Sequence, residues 1–297
     1  MKHFRLFPGT AFLLFFCAAR AQAQLDEALN PAAEPPKMVL LVHRDFRSGK
    51  GAERQKLEAA MSRVCDHLKV PNSWIDLESI TGFPEALSFD PFDSFAHVDI
   101  AFAQWGRIFA THPDIAHLQE QIKALVSSER TIIAVRRDDL GYRPLSIDLS
   151  KARFLRVLEV RLLPGHERDF DESFKMLGEA YEKIKANTPW VVYQVNVGMP
   201  SPTFLVFVPL RALQQNDDLL SWRRPLREAE GDAAADRMEH IAREAYQSME
   251  SNLYFISPET SHVSKEFADG DPEFWSHKAV AAPKPAPPKD KDSTKNP

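Results

Sequence analysis

Polar side chains on alternating strand positions are the residues best placed for chemistry. In Trp190–Val197, Gln194 and Asn196 alternate with Tyr193 and Val195. A period of two puts them on one strand face with Trp190. Trp74, Asp76 and Glu78 take the equivalent face of an earlier strand, and Glu159 and Arg161 alternate with Leu158, Val160 and Leu162. If these faces meet between two sheets, they form a polar space. Its carboxylates could transfer protons and its amides could orient a ligand. An internal hydrogen-bonded network that sets the register of the sheets would use the same residues. Tyr193 and Tyr254 fall on the opposite, apolar face, expected to turn toward helices with Trp190 nearby. A pocket there would suit an electron-rich aromatic substrate, although such residues also fill cores. The candidate pocket is therefore drawn from Trp190, Tyr193, Gln194, Asn196, Glu159, Arg161, Asp76, Glu78 and Tyr254.

Other chemistries find less support. The sequence has no Gly-x-Ser-x-Gly, no glycine-rich dinucleotide motif and no P-loop. His112 and His117 lie five apart around Pro113, and no His-Glu-x-x-His pair occurs, so no metal site is expected. His166 and His240 read as solvated or locally bonded helical residues. Cys65 lies in an apolar helical pattern and reads as a buried, inert thiol.

The first residues carry an address. Lys2 and Arg5 precede a mostly apolar stretch to Ala19, and Ala21-Gln22-Ala23 is a cleavage pattern. Residues 1–23 are expected to be a signal peptide, giving a periplasmic or secreted protein with no membrane span in the mature chain. Cleavage leaves 34 basic and 42 acidic residues, a net charge of −8. So acidic a chain is not expected to bind nucleic acid. Residues 24–37 read as an extended leader. Residues 263–297 form a C-terminal extension, Lys/Pro-rich and expected to be disordered from about residue 279.

Between these ends one unit occurs twice. The first copy (38–137) opens with an apolar strand at Met38–His43, and Leu57, Met61, Val64, Cys65 and Leu68 then share a helical face. The second (152–262) opens with Phe154–Leu163, and Phe170, Phe174, Leu177, Tyr181 and Ile184 share the matching face. Val70-Pro71-Asn72-Ser73-Trp74 parallels Thr188-Pro189-Trp190, and Phe89-Asp90-Pro91-Phe92 parallels Phe207-Val208-Pro209-Leu210. Trp105 and Trp222 follow at like distances. Phe95, Val98, Phe102, Trp105 and Phe109 keep helical spacing, and Pro113 opens a second helix. Each copy thus reads β-α-β-β-α-β, the ferredoxin-like order. Residues 138–151 link the copies. The expected fold is α+β: two tandem ferredoxin-like units packed as an intramolecular dimeric α+β barrel. Each unit covers the open sheet face of the other, so a monomer with an internal pseudo-dimer is expected.

The run Pro164-Gly165-His166-Glu167, amphipathic helix, Pro189-Trp190-x-x-Tyr193, glycine turn and Phe207-x-Pro209-Leu210 resembles the dimeric α+β barrel superfamily. Within it the chain is similar to antibiotic-biosynthesis-monooxygenase-like and NIPSNAP-like proteins, as an exported tandem repeat. The resemblance spans nearly all of residues 38–262 and implies architecture more than activity. It allows a cofactor-free monooxygenase acting on a small aromatic substrate, and leaves haem as the one cofactor open, with His166 or His240 as ligand. No cofactor is indicated by the residues themselves. A small-molecule-binding protein without a catalytic set is the leading expectation. An oxygenase-like enzyme using the second copy's helix–sheet pocket, or an extracytoplasmic interaction module, is the alternative.

Overall fold

Segments with apolar residues at i, i+3/i+4 and i+7 fold as helices, and the alternating runs fold as strands. The computed structural model describes residues 34–220 and 223–276. The signal-peptide reading, most of the leader, Trp222 and the Lys/Pro-rich tail lie outside the described residues. β1 (Met38–Phe46), α1 (Gly51–Leu68), β2 (Trp74–Ser79), β3 (Glu85–Phe92), α2 (Phe95–Thr111), α3 (Pro113–Leu125) and β4 (Val126–Arg136) form the first unit. β5 (Phe154–Leu162), α4 (Glu167–Lys183), β6 (Val191–Val197), β7 (Thr203–Leu210), α5 (Arg223–Glu230), α6 (Asp232–Ala245) and β8 (Tyr246–His262) repeat the order. Ser94 caps α2 by accepting from the His97 amide at 3.4 Å. Pro113 opens α3 at the position where a missing N–H removes no helical bond.

The strands close into one antiparallel barrel in the order β1-β3-β2-β8-β5-β7-β6-β4. Each unit contributes four strands. The seams are β2–β8, where Leu77 faces Ile256, and β4–β6, where Ala134 faces Val195. Closure removes the free edges that each unit would expose alone. No helix among the described residues is long and apolar enough to cross a membrane.

The barrel interior is a packed core. Leu41, Leu77, Phe89, Tyr193, Phe207 and Tyr254 meet there, and a residual void of about 30 Å³ remains. One end is stoppered by the linker and by α7 (Lys265–Ala268) and α8 (Pro272–Trp275). Phe267 and Trp275 are buried against the core, and the Trp275 indole donates to the Ser150 carbonyl at 2.9 Å.

On β2, β6 and β8 the strand faces are therefore the reverse of the sequence reading, whereas β5 turns the face of Glu159 and Arg161 inward as expected. Val191, Tyr193, Val195 and Tyr254 point into the barrel, whereas Trp190 and Val192 face the helices. The dry lumen takes the wholly apolar set. The helix side tolerates Gln194 and Asn196 where helix cover ends: Gln194 accepts from Arg137, and Asn196 is exposed. Both faces of these strands are covered, so period-two alternation identifies two faces without saying which is inside.

Gly198 ends β6 with φ +100°, and a Cβ there would lie 2.3 Å from the Thr131 carbonyl oxygen. Gly165 has φ +91° but open space around it. Both alanine variants carry the penalty of a positive φ, more than about 1 kcal/mol. Only Gly198→Ala also forces β4 and β6 apart, so urea unfolding should show the larger loss there.

Candidate functional site

The two units differ on the faces their helices cover. In the second unit that space is filled. Phe170 stacks on Phe204 at 4.1 Å, Trp190 meets Tyr181 edge-on at 5.0 Å, and the Trp190 indole donates to the Leu140 carbonyl at 3.0 Å. In the first unit the packing splits in two. Met38, Leu40, Phe92, Val98 and Ala101 form one cluster; Met61, Cys65, Val70, Ile115 and Ile122 form another. Between sheet and helices lies a cavity of about 310 Å³.

Its wall is aromatic. Trp74 from β2 lies 6.1 Å from Trp105 of α2, which stacks on Phe109 at 5.4 Å. Phe92 lines the sheet side, and Phe102, largely exposed, stands at the rim. Its floor is polar, and its charges come from four elements. Arg44 on β1, Asp76 on β2 and Asp90 on β3 alternate with lumen-facing residues, so all three point to the helices; Glu58 enters from α1.

Most of these groups are engaged. Arg54, buried on α1, donates to Glu58 and to Glu78, each at 2.7 Å. Gln55 adds a second donor to Glu78 at 2.9 Å. Arg44 donates to Glu129 at 2.8 Å. Asp76 accepts from the Ser88 hydroxyl, while its own amide donates to the Ser261 hydroxyl. Asp90 differs: its Oδ1 is buried without a hydrogen-bond partner, and so is the Oδ1 of Asn72, another lining residue.

Burial governs the ionisation. Enclosure, reinforced by the neighbouring Asp76 charge, pushes the Asp90 carboxyl up to about 7 against the pull of Arg44. Burial also raises Glu58, where it and Asp76 outweigh Arg54. Asp76 is raised by burial too, opposed by Ser88 and then by Arg44. A carboxyl near neutrality inside an apolar cleft can exchange a proton with a bound molecule.

The sequence candidates do not form one pocket. Asp76 lines the cavity, and Glu78 sits beside it on Arg54. Trp190 belongs to the filled core of the second unit, and Tyr193 to the lumen, where its hydroxyl donates to the Pro36 carbonyl at 2.9 Å. Glu159 and Arg161, on the lumen-facing side of β5, lie beyond the packed core toward the open end of the barrel. There His43 meets Glu85 at 2.6 Å, and the Tyr254 hydroxyl donates to the other Glu85 oxygen. His43, Asp45 and Glu85 bring their ligand-type atoms within 4.8 Å of one another, with both Glu85 oxygens already engaged. Asp90, Asn72, Arg44, Arg54 and Glu58 escaped the sequence reading. The available signal was the Ser88/Asp90 alternation in an apolar strand, together with Arg54, Glu58, Met61 and Cys65 on one face of α1.

The fold is a dimeric α+β barrel closed within one chain. No family model and no curated protein matches the sequence. Among solved structures, the chain is similar to an anthrone oxidase-like protein (15% identity, TM-score 0.49, covering 76% of this chain and 94% of that one). It is similar to a candidate monooxygenase from Lactobacillus acidophilus NCFM (8%, TM-score 0.46, 76% and 95%). It is also similar to a variant of the chlorite dismutase from Candidatus Nitrospira defluvii (8%, TM-score 0.47, 83% and 98%).

The cavity does not fit haem. Among the described residues lining it there is no histidine, cysteine or tyrosine to bind iron, and Glu58, Asp76 and Asp90 would oppose the propionates. His166 is bonded to Asp169 at 2.7 Å, and His240 is exposed on α6.

Proposed function

We propose that the helix–sheet cavity of the first unit binds a small, largely apolar molecule and that Asp90 exchanges a proton with it. The observation that carries this reading is a buried carboxyl oxygen with no partner, facing an aromatic-walled cavity of about 310 Å³. Buried polar atoms are mostly paired within the protein, so an unpaired one facing a cavity marks a place for a ligand's donor. Phe92, Phe102 and Trp105 hold the apolar body, and Asp90 and Asn72 meet its polar end.

In the mechanism this supports, the substrate binds with its acidic hydrogen toward Asp90. The ionised fraction of Asp90, substantial at neutral pH, accepts the proton. Arg54 holds Glu58 and Glu78 and the Ser88 hydroxyl holds Asp76, which leaves the Asp90 oxygen to meet the substrate proton. Cofactor-free oxygenation is a second reading of the same arrangement: proton removal would make an aromatic substrate electron-rich enough to react with dioxygen. The aromatic wall beside Asp90 favours it. The sequence of residues 1–23 supports an extracytoplasmic setting.

Phenethyl alcohol, a neutral probe, should bind the wild-type protein and quench Trp105 fluorescence. Ala101→Leu, which extends a lining side chain into the cavity, should abolish the effect. Equal binding by both proteins would place the ligand elsewhere.

A further inference from the structure

Resting on that reading of the cavity, we propose that its ligand is an organic ammonium: a protonated amine joined to an apolar or aromatic body. Carboxyls outnumber cations around the cavity. Glu58, Asp76 and Asp90 line the cavity, and Glu78 lies behind Glu58. Two arginines oppose these four carboxyls, and both have other commitments. Arg54 is shared between Glu58 and Glu78, and the Nε of Arg44 is given to Glu129. Asp90 is left without a hydrogen-bonded cation.

The hydrogen-bond inventory points the same way. Three lining atoms are buried without a partner, Asp90 Oδ1, Asn72 Oδ1 and Thr260 Oγ1, and the first two can only accept. An ammonium carries several N–H donors; a hydroxyl carries one, and a carboxylate has none and adds like charge. The walls then select among donors. Trp74, Phe92, Phe102, Trp105 and Phe109 surround the space, and ring faces attract a cation at close range. Carboxylate and aromatic rings around one cavity make an ammonium receptor.

The linked proton supplies a signature. Facing Asp90 are Arg44 from β1, Asp76 from β2 and Glu58 from α1; α2, α3 and β4 present Trp105, Gln119 and Thr131, which do not titrate near neutrality. Without a ligand, Asp90 takes up a proton near pH 7. An ammonium needs the ionised form and displaces that proton, so its affinity should rise with pH and level off only above about 8, where Glu58, also raised by burial, has ionised as well.

Calorimetric titration of the full chain tests this with three compounds that share one body: phenethylamine, phenethyl alcohol and hydrocinnamate. Phenethylamine is expected to bind at least about tenfold tighter than the alcohol at pH 7.5, and hydrocinnamate not to bind measurably. Its affinity should climb by about tenfold per pH unit between pH 5 and 6, while that of the alcohol stays flat. Asp90→Asn should lose the preference for the amine, binding it no tighter than the alcohol, with a melting temperature at pH 8 no lower than that of the wild type, which shows that the fold is intact. Binding of the alcohol as tightly as the amine, or tightest binding of hydrocinnamate, overturns the proposal and leaves the pocket reading standing. Failure of all three to bind overturns both.

Discussion

Arg54→Ala is expected to lower the free energy of unfolding by about 3–5 kcal/mol, the range for breaking a buried ion pair from one side. The Arg54 side chain is 6% exposed and holds Glu58 and Glu78, themselves 8% and 11% exposed. Its guanidinium also lies 4.8 Å from the Phe46 ring centroid, so packing is lost together with charge. Without Arg54 two carboxyls must either stay charged among apolar neighbours or take up protons. The loss should therefore be larger at pH 8 than at pH 5. Restoring neutrality with Arg54→Met, Glu58→Gln and Glu78→Gln together should recover most of it, because a well-packed neutral set is often as stable as the ions it replaces. Urea unfolding of these proteins is the measurement. A loss below about 1 kcal/mol for Arg54→Ala would show the pairs behaving as solvated surface bridges.

Asp90→Asn should move stability the other way. The Asp90 carboxyl is raised from 3.8 to about 7 on folding. Below pH 4 it is protonated in both states and contributes nothing to the difference. Between pH 4 and 7 the unfolded chain releases its proton while the folded one keeps it, so stability falls as pH rises; above 7 the penalty is complete. A shift of that size corresponds to about 4 kcal/mol at most. Asp90→Asn removes the penalty, so its melting temperature should exceed that of the wild type at pH 8 and approach it at pH 4.5. A variant less stable than the wild type at pH 8 would mean that Asp90 is ionised and paired in the fold.

These effects show where sequence reasoning reached and where it stopped. The duplicated β-α-β-β-α-β order was legible because each helix keeps its apolar stripe and each turn its Pro or Gly. Even α2 was recoverable, since Phe95, Val98, Phe102, Trp105 and Phe109 keep helical spacing. Which strand face looks inward was not legible, because a barrel wrapped in helices buries both faces. Trp190 and Tyr193 lie three residues apart and both are buried, one under α4 and one in the lumen. Asp76 and Glu78 were visible as carboxylates on one face, but their partner Arg54 lies on a separate element and Asp90 on the neighbouring strand. The asymmetry between the units was hidden as well. It depends on whether Phe170, Phe174 and Trp190 meet in space, as they do in the second unit, or leave room, as Trp74 and Trp105 do in the first.

The titration of Asp90 tests the account at its centre. Aspartate side chains labelled with carbon-13 at Cγ can be followed by NMR across the pH range, with and without phenethyl alcohol. The predicted result is an aspartate with a midpoint near the expected value of about 7, absent in Asp90→Asn and displaced upward when the neutral alcohol is added, in keeping with an affinity that is flat below it. Midpoints that all lie close to the ordinary aspartate value of about 3.9, and do not respond to the alcohol, would contradict it.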